Sequence, residues 1–304
     1  KLSWQAIRDW QPKQGVLWVH LDFTEHNSQR WLSEDANIPS LIAQALLADE
    51  SRPRTTVYKE GFLTTMRGLN LNPGADPQDM VSIRMWCEQH RVITTRRRHL
   101  LSIDDLQQDI ANGRSPQTSH QVVIRIAECL AQRMSNPIEE VDDQLDALSE
   151  QIIDAQSYQM RSQLADLRRQ VVSLRRYLAP QREALSELYL NERTELNSMD
   201  RMRIREISER ITYYVEELDS ARDRASVTQE ELMGRLAEKM EQRMYLLSIV
   251  AVIFLPLSFV TGLLGINVDG IPFANLPTAF AMVCIGLVGL GLIEWWLFRK
   301  LKWI

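Results

Sequence analysis

Imidazole and thiol side chains, the usual ligands of tightly held zinc, are few and scattered in this 304-residue chain. All five histidines, His20, His26, His90, His99 and His120, lie in the first 120 residues. Cys87, Cys129 and Cys284 are far apart and form no CxxC pair. That pattern fits a reducing compartment and argues against a disulfide framework or a structural zinc site. His20 sits in an alternating stretch and reads as a core or groove residue of a strand, with metal ligation the rarer alternative. The sequence has no Walker-A loop, GxSxG elbow or HExxH helix. Gly286-x-x-Gly289-x-Gly291 falls inside an apolar run, where it permits close helix contact rather than nucleotide binding. No enzyme activity is expected. Near the C-terminus the groups that remain are Asn267, which closes Gly265-Ile266-Asn267, and two carboxylates, Asp269 and Glu294.

Those groups stand in an apolar setting. Tyr245–Leu264 and Leu276–Phe298 are each long enough to cross a hydrocarbon core of roughly 30 Å, which needs about 20 helical residues. From Met244 to Phe298 there is no Lys or Arg, whereas Arg299, Lys300 and Lys302 follow at once. The positive-inside rule then places both ends of this hairpin in the cytoplasm and the short loop between its spans outside. No signal peptide precedes the first span, so the upstream part is expected to be a cytoplasmic body, with a few native residues missing before Lys1. The net charge of −5 makes that body mildly acidic and disfavours nucleic acid as a partner.

Residues 1–135 read as a cytoplasmic α/β domain. Val16–Phe23 alternates like a strand, and Thr55–Leu69 and Val81–Thr95 read as hairpins turning at Lys59-Glu60-Gly61 and Glu88–Arg91. Helices are expected over Pro39–Asp49, Ser102–Asn112 and from Ser115-Pro116 to about Met134. Residues 136–198 read as a helical hairpin region that reverses at Asn191–Ser198. Residues 199–264 read as one stalk helix on the order of 100 Å long, continuing into the first span at about 245–264. Next come the Gly-Ile-Asn triplet and outer loop over 265–277, a second span over 278–298 and a basic tail at 299–304.

Ile204, Ile207, Ile211, Tyr214, Leu218, Ala221 and Ala225 step by three and four, a seam for another helix. The seam continues through Leu232, Leu236, Met240, Met244, Leu247 and Ala251, and then Leu255, Ser258, Gly262 and Gly265. Self-association is expected on the ground that one chain cannot cover it. The small, polar outer end suits either close packing between membrane helices or the lining of a water-filled path. Pro256 removes the hydrogen bond to the Val252 carbonyl.

The run Phe254-Leu255-Pro256-Leu257-Ser258-Phe259, then Gly262 and Gly265-Ile266-Asn267, a short loop, a second span and the tail Lys302-Trp303-Ile304 resembles the CorA family of divalent-cation transporters. The family triplet is Gly-Met-Asn. Its Gly-Ile-Asn counterpart here, with Trp18-Val19-His20-Leu21, Ser51-Arg52-Pro53-Arg54 and Arg176-Tyr177-Leu178-Ala179-Pro180-Gln181-Arg182, resembles the zinc-transporting ZntB branch. The resemblance covers nearly the whole chain. It implies a funnel-shaped homopentamer in the inner membrane of a bacterial-type cell, with an axial pore made by five copies of the first span. Met244, Leu247, Ala251, Leu255, Ser258 and Gly262 match family pore positions, with Met244 and Leu247 as the apolar constriction. Gly265, Ile266 and Asn267, with Asp269 beside them, would meet the cation at the outer mouth. No resident cofactor is implied; the divalent cation, zinc in this branch, is cargo.

Residue chemistry adds detail to that expectation. Asparagine oxygens accept hydrogen bonds from hydration water without stripping it, and dehydration is what small divalent ions resist. Tight binding of bare zinc would call for thiolate or imidazole, and the hairpin's one such group, Cys284, is in the second span. Magnesium, cobalt or nickel therefore stay open as cargo. Asp269 reads as an attractive ring or a turn carboxylate. Glu294 reads as a functional ionisable group, proton linkage included, or as an interfacial partner of Arg299 or Arg243. Glu139, Glu140, Asp142, Asp143, Asp146, Glu150 and Asp154 read as a solvated face or a cation attractor. Arg235, Lys239 and Arg243 read as a collar for anionic lipid headgroups. Glu230 is the nearest match to the acidic ion-sensing site of CorA relatives. The rival of another class is a membrane-anchored coiled-coil sensor or scaffold that moves no ions.

Overall fold

The computed structural model describes residues 2–49, 52–76, 79–151, 158–266 and 276–300. The chain divides into two compact units, Lys1–Glu230 and Glu231–Ile304.

The first unit begins with a short helix α1 (Trp4–Arg8), capped by the Ser3 hydroxyl, which accepts from the Ala6 amide. Strand β1 (Leu17–Asp22) leads into helix α2 (His26–Arg30), a π-helical turn at Trp31–Asp35 and helix α3 (Ser40–Leu47). Strands β2 (Arg54–Val57), β3 (Phe62–Gly68), β4 (Val81–Cys87) and β5 (Arg91–Arg96) follow. The sheet order is β1-β5-β4-β3-β2. Neighbouring strands are antiparallel except β1 and β5, which pair in parallel from Leu17 opposite Arg91 to Asp22 opposite Arg96. At the β2–β3 turn a Cβ on Gly61 would lie 2.0 Å from the Cys87 carbonyl oxygen, so only glycine fits there.

Alternation assigns the sheet's two faces. Leu17, Val19, Leu21, Ile93, Trp86 and Leu63 share one face and pack in a core with Trp31, Leu32, Ile42 and Leu46. Helices α4 (Leu101–Ala111) and α5 (Ser119–Gln132) follow the sheet. Phe62, from the opposite face of β3, stacks on His120 of α5 with ring centroids 5.9 Å apart. Helix α5 starts four residues after Ser115, the expected opening, because the Thr118 hydroxyl accepts from the Gln121 amide and caps it.

Three helices complete the unit: α6 (Ser135–Gln151), α7 (Tyr158–Leu190) and the first half of α8 (Ser198–Leu264). Helix α7 is fastened to the sheet where Pro180 interrupts its ladder. The buried Gln181 Oε1 accepts from the Arg67 amide at 2.7 Å, and the Thr55 hydroxyl donates to the Ala184 carbonyl at 2.8 Å. Arg175 pairs with Asp219, Arg224 with Asp142 and Asp146, and Arg203 with Glu128, so α8 is tied to α7, α6 and α5 in turn.

Ile204, Ile207, Ile211, Tyr214, Leu218, Ala221 and Ala225 are all buried inside this single chain. This corrects the sequence argument, in which the same residues were a seam that needed another copy. The chain's own helices cover them, so this stretch supplies no drive for self-association.

We predict that Ile211→Ala destabilises the first unit by about 2–5 kcal/mol, the usual cost of emptying a fully covered aliphatic site. Denaturant unfolding, followed at a protein concentration low enough to dissociate any oligomer, should show that loss undiminished.

Candidate functional site

The second unit holds the last part of α8 and helix α9 (Ala279–Lys300), both long and apolar enough to cross a membrane. Within α8 the polar side chains turn back on their own helix. The Ser248 hydroxyl donates to the Met244 carbonyl at 2.8 Å, and the Thr261 hydroxyl reaches the carbonyls of Leu257 and Ser258 at 3.0 Å each. Internal satisfaction of this kind is what a lipid setting demands. Pro256 lies in the same stretch without ending the helix. The Gly265 amide then bonds the carbonyls of both Thr261 and Gly262, at 3.0 and 3.1 Å, as the helix closes.

Exposure divides this helix lengthwise. Ile249, Ile253, Pro256, Leu257 and Val260 are half-buried, whereas Met244, Leu247, Ala251, Leu255, Ser258, Gly262 and Gly265 are all exposed. At about 100° per residue the centres of the two sets lie about 170° apart. Helix α9 has a comparable half-buried stripe at Ala279, Val283, Leu287, Leu290 and Glu294, ending at the buried Phe298. The candidate pore residues thus lie within the surface that the hairpin leaves uncovered, which also holds Val250, Val252, Phe254 and Phe259.

Alternate steps of three and four carry that uncovered face back along α8. Starting at Met199, they run through Met202, Glu206, Glu209, Tyr213 and Glu216, then Ser220, Asp223, Val227, Glu230, Gly234, Ala237 and Glu241. They end on Met244, Ser248, Ala251, Leu255, Ser258, Gly262 and Gly265. Every one of these positions is exposed, with Leu247 immediately beside the stripe. The sequence seam crossed between faces because Leu232, Leu236, Met240 and Met244 are three consecutive steps of four. Those steps move it about 120° round the helix. The Glu230 carboxylate lies on the exposed stripe.

Asn267 and Asp269 fall outside the described residues. Ile266 is exposed just after the helix. Glu294 is half-buried, and its Oε2 has no hydrogen-bond partner among the described residues. The expected pairing with Arg299 is not formed, because that guanidinium stands over the Trp295 ring, 5.6 Å from its centroid. Lys300 stands over Trp296 at 5.1 Å. Arg235 of the expected collar pairs with Glu231 at 2.9 Å. Among the described residues no group of three or more His, Cys, Asp or Glu could hold a metal ion.

His20 faces a cleft of about 760 Å³ lined by Trp4, Trp18, Asp22, Glu25 and Arg96. Both of its ring nitrogens are engaged. Nε2 accepts from Arg96 Nε at 3.0 Å, and Nδ1 then donates to the Thr94 hydroxyl at 2.8 Å. With Nε2 so occupied, the ring has no lone pair to offer a metal, and the core or groove reading of His20 is the one the geometry realises. Burial, with Arg96 adding to it, pushes the His20 pKa down to about 4. Burial also pushes the Cys87 thiol up to about 12, which leaves it inert.

The profile of the CorA-like Mg2+ transporter protein family matches residues 13–300. The chain belongs to the CorA family. The divalent cation transporter CmaX of Pseudomonas aeruginosa is 40% identical over 301 residues, which cover 98% of this chain and 90% of that protein. The zinc transport protein ZntB of Yersinia enterocolitica is 36% identical over 288 residues, 94% of this chain and 88% of that one. The structure of full-length CmaX superposes with a TM-score of 0.84 at 39% identity, covering 99% of this chain and 93% of that chain. The CorA magnesium transporter of Methanocaldococcus jannaschii gives 0.81 at 18% identity, covering 94% and 91%, which is a likeness of fold. The CorA fold expected from the sequence, an α/β body followed by a long helix and two C-terminal apolar helices, is therefore the fold observed. CorA proteins are transporters, in keeping with the non-enzymatic reading.

The depressed His20 pKa sets a pH window. Its folded value of about 4 lies below the ordinary 6.5, so the unfolded chain binds the extra proton between those values. Stability is full above about pH 6.5 and falls as the pH drops toward 4. We expect wild type to lose about 2 kcal/mol of first-unit stability between pH 7 and pH 5 through this residue. The loss should be absent in His20→Gln, as read by chemical denaturation at both pH values.

Proposed function

We propose that this CorA-family chain forms a homopentamer in the inner membrane, with both termini cytoplasmic, and conducts divalent cations, zinc among them, along an axis lined by α8. The observation that carries this reading is the uncovered stripe of α8, which runs from Met199 to Gly265 in steps of three and four. A stripe with that spacing faces a common axis when copies of one helix supercoil, and the chain's own helices leave it bare. Five is the number the family resemblance implies.

On this reading the stripe changes character along the path. Glu206, Glu209, Glu216, Asp223 and Glu230 give it an acidic cytoplasmic part, which would raise the local concentration of cations. Met244, flanked by Leu247, would form an apolar constriction that blocks ions by excluding water. Ala251, Ser258, Gly262 and Gly265 then keep the bore wide and partly polar. The Asn267 ring, with Asp269 nearby, would meet the ion at the mouth through amide oxygens that bond its hydration water, with Ile266 supporting the triplet. Arg299 and Lys300, seated over Trp295 and Trp296, suit the headgroup layer of the cytoplasmic leaflet. Zinc is favoured by the Gly-Ile-Asn triplet and by relatives named as zinc transport proteins.

Purified protein in liposomes should move divalent cations. Asn267→Ala should cut zinc flux at least about tenfold while the oligomer stays intact, since several kcal/mol of hydration-shell contacts would be deleted from the ring. Leu247→Ser or Met244→Ser should raise the resting leak, and Ile249→Ser, on the half-buried face, should raise it far less. Wild-type vesicles that move no ion, or normal flux through an Asn267→Ala oligomer, would refute the reading.

A further inference from the structure

Helices α6 and α7 present exposed faces of opposite charge. Over Ser135–Gln151, α6 has six carboxylates and no basic residue, while over Tyr158–Leu190 α7 has six arginines against three carboxylates. The acidic face follows helical spacing at Glu139, Asp143, Asp146 and Glu150, all exposed. The basic face does the same at Arg161, Arg169 and Arg176, with exposed Ala165 and Val172 between them. Val172 keeps 54% of its surface in solvent, an unusual position for a valine on a helix otherwise well packed against its own chain. Ala165 and Val172 line a groove of about 570 Å³ rimmed by Arg168, Arg169 and Arg176.

We propose that this groove receives the acidic α6 face of a second copy of the same chain, so that adjoining cytoplasmic units in the assembly are joined α7 to α6. The occupant is chosen by charge and by supply. Among the described residues the acidic face pairs with one arginine, Arg224, which takes Asp142 and Asp146. The basic face meets little acid: Arg169 pairs with the neighbouring Asp166, and Arg176 lies on Tyr177, 4.7 Å from its ring centroid. Each copy has one face of each sign, so the contact repeats head-to-tail around the axis of the proposed oligomer, and a closed ring of such contacts satisfies every face. The proposal rests on the oligomeric reading above and adds the interface that aligns its cytoplasmic parts.

A charge-swap set tests it. One variant is Glu139→Lys/Asp143→Lys/Glu150→Lys, a second is Arg161→Glu/Arg169→Glu/Arg176→Glu, and the third combines all six changes. Subunit dissociation is followed by native mass spectrometry in mild detergent across a salt series. Each single-face reversal should raise the dissociation constant at least about tenfold at low salt and flatten its salt dependence, as expected for several rim charges acting together. The combined chain should regain most of the wild-type affinity, because both partners are reversed. An intact wild-type oligomer indifferent to either reversal, or a combined chain no tighter than the single-face variants, overturns the interface alone. Loss of bound anionic lipid with unchanged assembly would assign the basic face to headgroups and also overturn it. A monomeric wild type would overturn the oligomeric pore and this interface together.

Discussion

A helix of 67 residues has more surface than two shorter helices can cover, and the organisation of this CorA-family chain follows from which part is left bare. In the first unit the face that holds Ile204, Ile211 and Leu218 is buried, and ion pairs tie the helix there to α5, α6 and α7. The opposite face, with Met199, Met202 and Tyr213, stays in solvent. Exposed methionines and a tyrosine at core-like spacing are a cost in an isolated chain and a contact surface in an assembly. The same division holds in the membrane unit, where Ile253 and Leu257 are half-buried while Leu255 and Ser258 are open. One lengthwise rule thus governs the helix from beginning to end, although its covering partners change.

The rule also explains which residue types stand where. A face reserved for contact with its own chain can be largely apolar, and Ile204 to Ala225 is, with the buried Ser208 hydroxyl meeting Ser186. A face reserved for a shared axis must tolerate water in the cytoplasm and close helix approach in the membrane. Carboxylates serve the first need, and Ala251, Ser258, Gly262 and Gly265 the second. Methionine and leucine at positions 244 and 247 fit neither need; on the proposed reading they would be the place where the path is dried.

Much of the α/β unit was legible because its strands alternate. Val16–Phe23 and the turns at Gly61 and Glu88–Arg91 are visible as patterns, and β1 to β5 follow them closely. The parallel pairing of β1 with β5 was not, since it joins strands about seventy residues apart and leaves no local trace. The helices at Trp4–Arg8 and His26–Arg30 are too short to show a period, and the π turn at Trp31 has none. On α8 the apolar positions were found correctly and the covered face was not. Apolar residues occur on both sides of this helix, and only the placement of α6 and α7 tells which side is taken. Of the candidate site, Ser258, Gly262 and Gly265 stand out as small and polar types in an apolar run, whereas Met244, Leu247, Ala251 and Leu255 rest on helical spacing and on the family resemblance. Asn267 and Asp269 lie outside the described residues.

The buried seam and the bare stripe do different thermodynamic work, and confusing them would misplace the origin of assembly. Burial of Ile207, Ile211 and Leu218 stabilises each subunit whatever its concentration. A face that only another copy can cover contributes nothing until association occurs, and its contribution then depends on protein concentration. Outside the membrane-length part, the stripe of α8 mixes Met199, Met202, Tyr213 and Val227 with Glu206, Glu209, Glu216 and Asp223. On the proposed reading those carboxylates would repel their copies across an axis, and the membrane helices and contacts lateral to the stripe would have to offset that repulsion. On the proposed reading, an acidic axis held together from outside would let divalent ions relieve the repulsion while passing rather than being needed to hold the subunits together.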